Sequence, residues 1–317
     1  MENSVPPRAD FPDLSGLLSC PDDGTSIEME EGVVRCTSCG RLFSRHSDGV
    51  LELLPRNPTR LPASGVSESY RRGYDEEFRK KYPPEPGTTA WAQPESSPES
   101  WVRKRERQVR FVSSILQRPG PGEATVFCDL SAGTGYYTFS YAGKYRMVMH
   151  CDLSPGNLAY ASAKAASRGL RNIAFLRIDY FNPPFRAVLP LAICLDTLER
   201  GLAHERLLLE SIGRTLAGGG TAIVDFHNVH HNPLRRAGLL SENFRDNRSY
   251  SRRDVEGLFQ ALGLKSEYFP FRQEFEPGSL AERTIGKIVP PVRHLYRIFQ
   301  VAHISAGASP TACPRSG

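Results

Sequence analysis

The chain has 317 residues, 24% of them charged and 39% apolar, with a net charge of +5. That length provides for one large domain plus a small one with a full core, and the mild basic balance falls short of the clustering seen in dedicated nucleic-acid-binding domains. No apolar run approaches the roughly 18 residues of a membrane-spanning helix, no basic flank precedes an apolar block near the start, and seven scattered cysteines fit reduced thiols in a cytoplasm.

Residues 17–55 are expected to form a small β-rich module. Cys20-Pro21 precedes a turn at Asp22-Asp23-Gly24, and Val33-Val34-Arg35 leads into Cys36-Thr37-Ser38-Cys39-Gly40. A CxxC followed by glycine makes a tight turn that aims two thiolates at one ion. The pattern resembles a zinc ribbon in which one cysteine is missing. The resemblance implies a structural zinc on Cys20, Asp23, Cys36 and Cys39, with His46 as a substitute fourth ligand; a ribbon that has lost its metal is the alternative.

Residues 56–100 read as a linker or cover segment. Pro55, Pro58 and Pro62 punctuate it, 70–81 has the character of a charged helix, and 83–98 is rich in proline, glutamate and serine. The stretch 101–116 predicts an amphipathic helix with Trp101, Val102, Val109, Val112, Ile115 and Leu116 on its apolar side. Its basic side carries Arg103, Lys104, Arg105, Arg107 and Arg110, either solvated or facing phosphate.

From residue 124 strands and helices alternate. Strands are predicted at 125–129, 146–152, 173–178, 189–195, 221–226, 265–271 and 294–301. Helices are predicted near 136–142, from Ser154-Pro155 to Gly169, over 204–216, and from Ser251 to Gly263. This rhythm predicts an α/β fold: a Rossmann-like, doubly wound, mostly parallel seven-stranded sheet over 101–303, with a disordered tail at 304–317.

Ligands of such sheets bind beyond the carboxyl ends of the strands. Four successive strands here end in acids: Asp129, Asp152, Asp179 and Asp196. Gly133 and Gly135 follow the first, and Asp152 stands 23 residues after Asp129, near the spacing of about 20 that puts an acid on a nucleotide ribose. Tyr136, Tyr137 and Thr138 follow Gly135 where a dinucleotide site needs a third glycine, so a pyrophosphate is a poor fit. A cationic sulfonium nucleoside fits the acids better.

Five spaced segments carry a resemblance to the class I S-adenosylmethionine-dependent methyltransferases. They are Asp129-Leu130-Ser131-Ala132-Gly133-Thr134-Gly135, Cys151-Asp152-Leu153-Ser154-Pro155, Leu176-Arg177-Ile178-Asp179-Tyr180-Phe181, Cys194-Leu195-Asp196-Thr197-Leu198, and 216–224. The resemblance implies S-adenosylmethionine as cofactor. Gly133 and Gly135, with Ser131 in their loop, would approach its methionine part, and Asp129 would help fix the ammonium. Asp152 would accept from both ribose hydroxyls, Leu153 would pack on adenine, and Asp179 would accept from the adenine amino group beside Tyr180. Asp196 and Thr197 would lie near the reactive methyl.

Methyl transfer needs an acceptor held at near-attack distance, and a base where the acceptor carries a proton. The segment Asp225-Phe226-His227-Asn228-Val229-His230-His231 puts three histidines after a strand end. His227, His230 and His231 are the candidate bases, with Asp196 as a further catalytic residue; a metal site and a local polar loop are the other readings of the histidines. Asp196-Thr197-Leu198-Glu199 stands where N-methylases of planar bases carry an Asn-Pro-Pro-Tyr type signature. A small-molecule acceptor is therefore expected, with oxygen ahead of nitrogen. An RNA methyltransferase is the second reading, and a non-catalytic cofactor- or partner-binding protein the third.

Overall fold

A computed structural model of the chain describes residues 14, 16–30, 32–57, 99–116, 125–198, 202–227, 250–274 and 294–303. In chain order its strands are β1 (Ile27–Glu30), β2 (Val33–Cys36), β3 (Leu42–Phe43), β4 (Leu51–Leu53), β5 (Val126–Leu130), β6 (Met147–Asp152), β7 (Ile173–Ile178), β8 (Leu189–Leu198), β9 (Leu216–His227), β10 (Lys265–Glu274) and β11 (His294–His303). The helices are α1 (Glu99–Leu116), α2 (Tyr136–Tyr141), α3 (Pro155–Ser167), α4 (Leu202–Thr215) and α5 (Arg252–Ala261). Two compact units result, one from 1–93 with 125–185 and one from 94–124 with 186–317. The helix expected over 70–81, the tail at 304–317, and His230 and His231 lie outside the described residues.

In the first unit, β1, β2 and β3 make a small antiparallel sheet. The strands of the large sheet run β5-β6-β7-β4, and every pairing is parallel. Their side chains read as continuous apolar runs because such strands are buried on both faces: Phe127, Cys128, Val148, Met149, Cys151, Ala174 and Leu176 have no solvent exposure. The seven strands expected after residue 124 are present as β5 to β11, and β4 adds an eighth. Leu51 to Leu53 pair in register with Leu176 to Ile178, and Arg177 reaches across to Glu52 at 2.6 Å. The chain before residue 58 thus supplies both a ribbon-like sheet and the edge of the parallel one.

The second unit orders its strands β10-β11-β9-β8, with β8 and β9 parallel and the rest antiparallel. Pro270 sits in β10, at the end of that order, where a missing amide costs no ladder bond. Gly218-Gly219-Gly220 does not precede the strand expected from residue 221. Instead β9 begins at Leu216, opposite Leu189, and its register jumps to Thr221 opposite Leu191. The glycines form the extruded bulge, and Gly220 lies where a Cβ would sit 2.7 Å from the Leu189 carbonyl oxygen.

Helix ends follow their local chemistry. Ser154 caps α3 by accepting from the Asn157 amide, with Pro155 in the first turn. Ser251 and Asp254 form a reciprocal capping box at α5. Gly169 and Gly263 follow these helices at φ 65° and 66°.

Candidate functional site

The first unit gathers most of the sequence-predicted cofactor residues at the carboxyl ends of β5, β6 and β7. After β5 the chain turns sharply: Ser131 has φ 62°, Gly133 57° and Gly135 83°. The Ala132 amide donates to the Cys151 carbonyl at 3.0 Å, folding the loop back on β6. The two glycines serve different ends. A Cβ on Gly135 would lie 2.6 Å from the Phe139 ring and 3.3 Å from His150, so this position is glycine for packing. A Cβ on Gly133 would meet nothing within 4 Å, so its open side leaves room for a ligand.

Asp152 ends β6 and is 3% exposed. Its Oδ2 accepts the Gly133 amide at 2.7 Å, while Oδ1 accepts the Ser154 amide at 2.8 Å and the Asn157 side chain at 3.3 Å. Burial raises its pKa, and the amide donors oppose that rise. Each carboxylate oxygen has two acceptor sites; Oδ1 is filled by its two donors, and Oδ2 keeps one site for a hydroxyl donor. One acid therefore locks the glycine loop to β6 and offers an acceptor edge beside it.

Asp129 is buried beneath the loop. Its Oδ2 accepts both the amide and the hydroxyl of Thr138, at 2.9 and 2.7 Å. Thr138 Oγ1 in turn lies 2.9 Å from Nδ1 of buried His150. Burial pushes Asp129 up to about 7 and His150 down to about 3. Asp129 thus anchors α2, and Thr138 and His150 complete a polar layer under the loop that sequence reasoning did not single out. The available signal was one histidine inside the apolar run Met147–Asp152.

Asp179 follows β7, is 4% exposed and accepts the Phe181 amide at 3.0 Å. Tyr180 and Leu153 beside these acids are half-buried, and the Leu153 carbonyl accepts Arg177 Nε at 3.2 Å.

In the second unit Asp196 adopts φ 59° near the end of β8. Its amide donates to Asp225 at 2.7 Å, and its carboxylate is ion-paired with Arg105 of α1. One arginine of the basic helix side is therefore committed to Asp196. The Thr197 hydroxyl donates to the Leu195 carbonyl at 3.1 Å. His227 ends β9. His204 and Tyr250 both bind buried Glu205, at 2.5 and 2.6 Å.

The ribbon residues also converge. Ligand atoms of Cys20, Asp23, Cys36 and Cys39 all lie within 4.8 Å of one another. His46 stands apart, half-exposed, with Nε2 3.5 Å from Glu52.

Residues 127–220 match the family model described as a methyltransferase domain. No curated protein sequence is significantly similar to the chain. Among solved structures, magnesium protoporphyrin IX methyltransferase from Synechocystis PCC 6803, with bound S-adenosylhomocysteine, has 15% identity and a TM-score of 0.52; 76% of this chain and 98% of that one are covered. Geranyl diphosphate C-methyltransferase from Streptomyces coelicolor A3(2) has 17% identity and a TM-score of 0.52, covering 77% and 100%. The cyclase SpnF has 14% identity and a TM-score of 0.51, covering 76% and 97%. At these identities the likeness is one of fold. Residues 127–220 thus match a methyltransferase domain, and the solved structures share the chain's fold.

Proposed function

We propose that this chain moves the methyl group of S-adenosylmethionine to a small-molecule acceptor, at oxygen ahead of nitrogen. The observation that carries this reading is buried Asp152, whose carboxylate ties down the Gly133 amide beside the open face of that glycine. A ribose hydroxyl donating to its Oδ2 would add to the bonds already present. Asp179 would take the adenine amino group between Leu153 and Tyr180, and the loop Ser131 to Gly135 would border the methionine part. Asp129 supports that loop through Thr138, a shorter reach than the ammonium contact expected from the sequence.

The bound sulfonium supplies an activated methyl carbon. The protein's task is to orient an acceptor and take a proton from it. We assign the base to the histidines at and beyond the end of β9, His227, His230 or His231. Asp196, held by Arg105 and by its own amide bond to Asp225, is a positioning residue rather than a free base.

The structural relatives support a small acceptor, since they are named for magnesium protoporphyrin IX and for geranyl diphosphate. An RNA acceptor is favoured by the ribbon-like module ahead of the domain and by the basic side of α1. There Arg105 is committed to Asp196, and Arg110 lies 3.8 Å from Glu106. A cytoplasmic setting agrees with six free thiols among the described cysteines and with no described helix being long and apolar enough to cross a membrane.

Calorimetric titration with S-adenosylhomocysteine tests the cofactor assignment. A hydrogen bond to a charged acceptor is worth roughly 1.5–3 kcal/mol, so Asp152→Ala should weaken binding about 10- to 100-fold. Unchanged affinity removes the ribose assignment. RNA binding that falls steeply with salt would move the acceptor to RNA.

A further inference from the structure

We propose that Cys20, Asp23, Cys36 and Cys39 form a divalent metal site of the zinc class with three sulfur donors and one oxygen donor, and that its ion steadies the turn carrying Asp179.

Two turns in the module share one geometry. In the first, the Gly24 amide donates to the Cys20 carbonyl at 2.8 Å and the Cys20 amide to the Thr25 carbonyl at 2.7 Å. In the second, the Gly40 amide donates to the Cys36 carbonyl at 3.2 Å and the Cys36 amide to the Arg41 carbonyl at 2.9 Å. Gly24 and Gly40 both have positive φ, 76° and 68°. Asp23 therefore stands in the first turn where Cys39 stands in the second. This is the paired-knuckle arrangement that aims four donors at one point, with a carboxylate at one corner.

The separations fit an ion. Tetrahedral zinc with bonds of about 2.3 Å to sulfur and about 2.0 Å to oxygen sets neighbouring ligands roughly 3.8 Å apart for sulfur–sulfur and about 3.5 Å for sulfur–oxygen. Cys20 and Cys39 Sγ are 3.9 Å apart, and Cys36 Sγ is 3.5 Å from Asp23 Oδ2. A disulfide needs sulfurs near 2.05 Å. The polar surroundings fit a thiolate as well: the amides of Ser38 and Cys39 both point at Cys36 Sγ, at 3.4 Å, the kind of outer support that ligand sulfur receives in metal sites. The neighbouring acids divide their work. Asp22 binds Arg41 and Arg56, whereas Asp23 ties Oδ1 to Thr25 and turns Oδ2 to the sulfurs.

The knuckle also touches the turn after β7. Asn182 Nδ2 donates to the Pro21 carbonyl, and the Ser19 amide donates to the Pro184 carbonyl at 2.8 Å. Asn182 closes the Asp179 turn with its own amide, 3.1 Å from the Asp179 carbonyl. An ion fixing Cys20 fixes the residues on both sides of it, and through them the turn. This second half of the proposal rests on the assignment of Asp179 to adenine; the ligand set does not.

The test uses the full chain purified without chelator. Elemental analysis should find one zinc per chain. Cobalt(II) in its place should give a near-ultraviolet sulfur-to-cobalt band of three-thiolate strength, rising to four in Asp23→Cys, which keeps the turn and guards against a mere folding defect. Stripping the metal should weaken S-adenosylhomocysteine binding about fivefold, the worth of one ordinary hydrogen bond, and re-added zinc should restore it. No zinc together with no cobalt band overturns the site. A band that Asp23→Cys leaves unchanged overturns the oxygen ligand, and affinity indifferent to stripping overturns the link to the turn. Protein that contains zinc, and shows the band once cobalt replaces it, yet never binds S-adenosylhomocysteine would instead sink the cofactor reading.

Discussion

Gly133 and Gly135 look equivalent in the sequence, yet their surroundings separate them. Gly135→Ala puts a methyl 2.6 Å from the Phe139 ring at φ 83°, which combines overpacking with left-handed strain of about 1–2 kcal/mol. It should lower Tm by several degrees. Gly133→Ala carries the backbone strain but no clash, since its Cβ points into open space. Its stability loss should be the smaller of the two, while S-adenosylhomocysteine binding suffers more. Thermal melts and titrations of both variants check this; equal stability losses would contradict it. The sequence showed where the acids fall because each ends an apolar run. It could not show that Asp196 is paired with Arg105, 91 residues earlier, because no local period records such a partner.

Elements bounded by local signals were legible: the Ser154 and Ser251 caps and the glycines closing α3 and α5 stand where the residues place them. Two elements were not. The glycine triplet reads as a breaker by composition, and only the facing strand β8 makes it a bulge. Leu51-Glu52-Leu53 is too short to signal its sheet, and its partner lies far along the chain. This short strand has a testable role. It pairs one side of β7, whose Leu176 and Ile178 are fully buried, and an uncovered apolar edge is a template for association. Replacing Glu52 by proline removes the amide that donates to the Ser44 carbonyl and the partner of Arg177, which unsettles β4 on its outer side. The variant should keep its helical circular dichroism yet elute from size exclusion as dimers or larger species. A monodisperse monomer at high concentration would refute the protective role of β4.

Across the folded molecule, the Asp129–Thr138–His150 layer sets two opposed dependences on pH. Asp129 keeps its proton in the folded state up to about 7, against an ordinary 3.8. The folded state binds more protons in that window, so this group lowers stability as pH rises from about 4 to about 7. His150 is the reverse: its folded pKa falls to about 3 from an ordinary 6.5, so its contribution to stability rises with pH over about 3 to 6.5. The two largely cancel in the native chain. Relative to it, Asp129→Asn should gain stability as pH rises through this range, and His150→Phe should lose it. Urea denaturation at pH 4.5 and 6.5 reads both, and parallel pH profiles for all three proteins would count against the coupled layer.

The reach from Glu52 to Arg177 spans 125 residues, which bears on synthesis. At about 5–20 residues per second a ribosome needs roughly 6–25 s to deliver the partner of that early segment. The β1–β3 hairpins can close at once, since their pairings are local, but the leucines of β4 must wait beside them. A nascent chain arrested before residue 173 should therefore present Leu51 and Leu53 to chaperones and proteases, and one released after 178 should hide them.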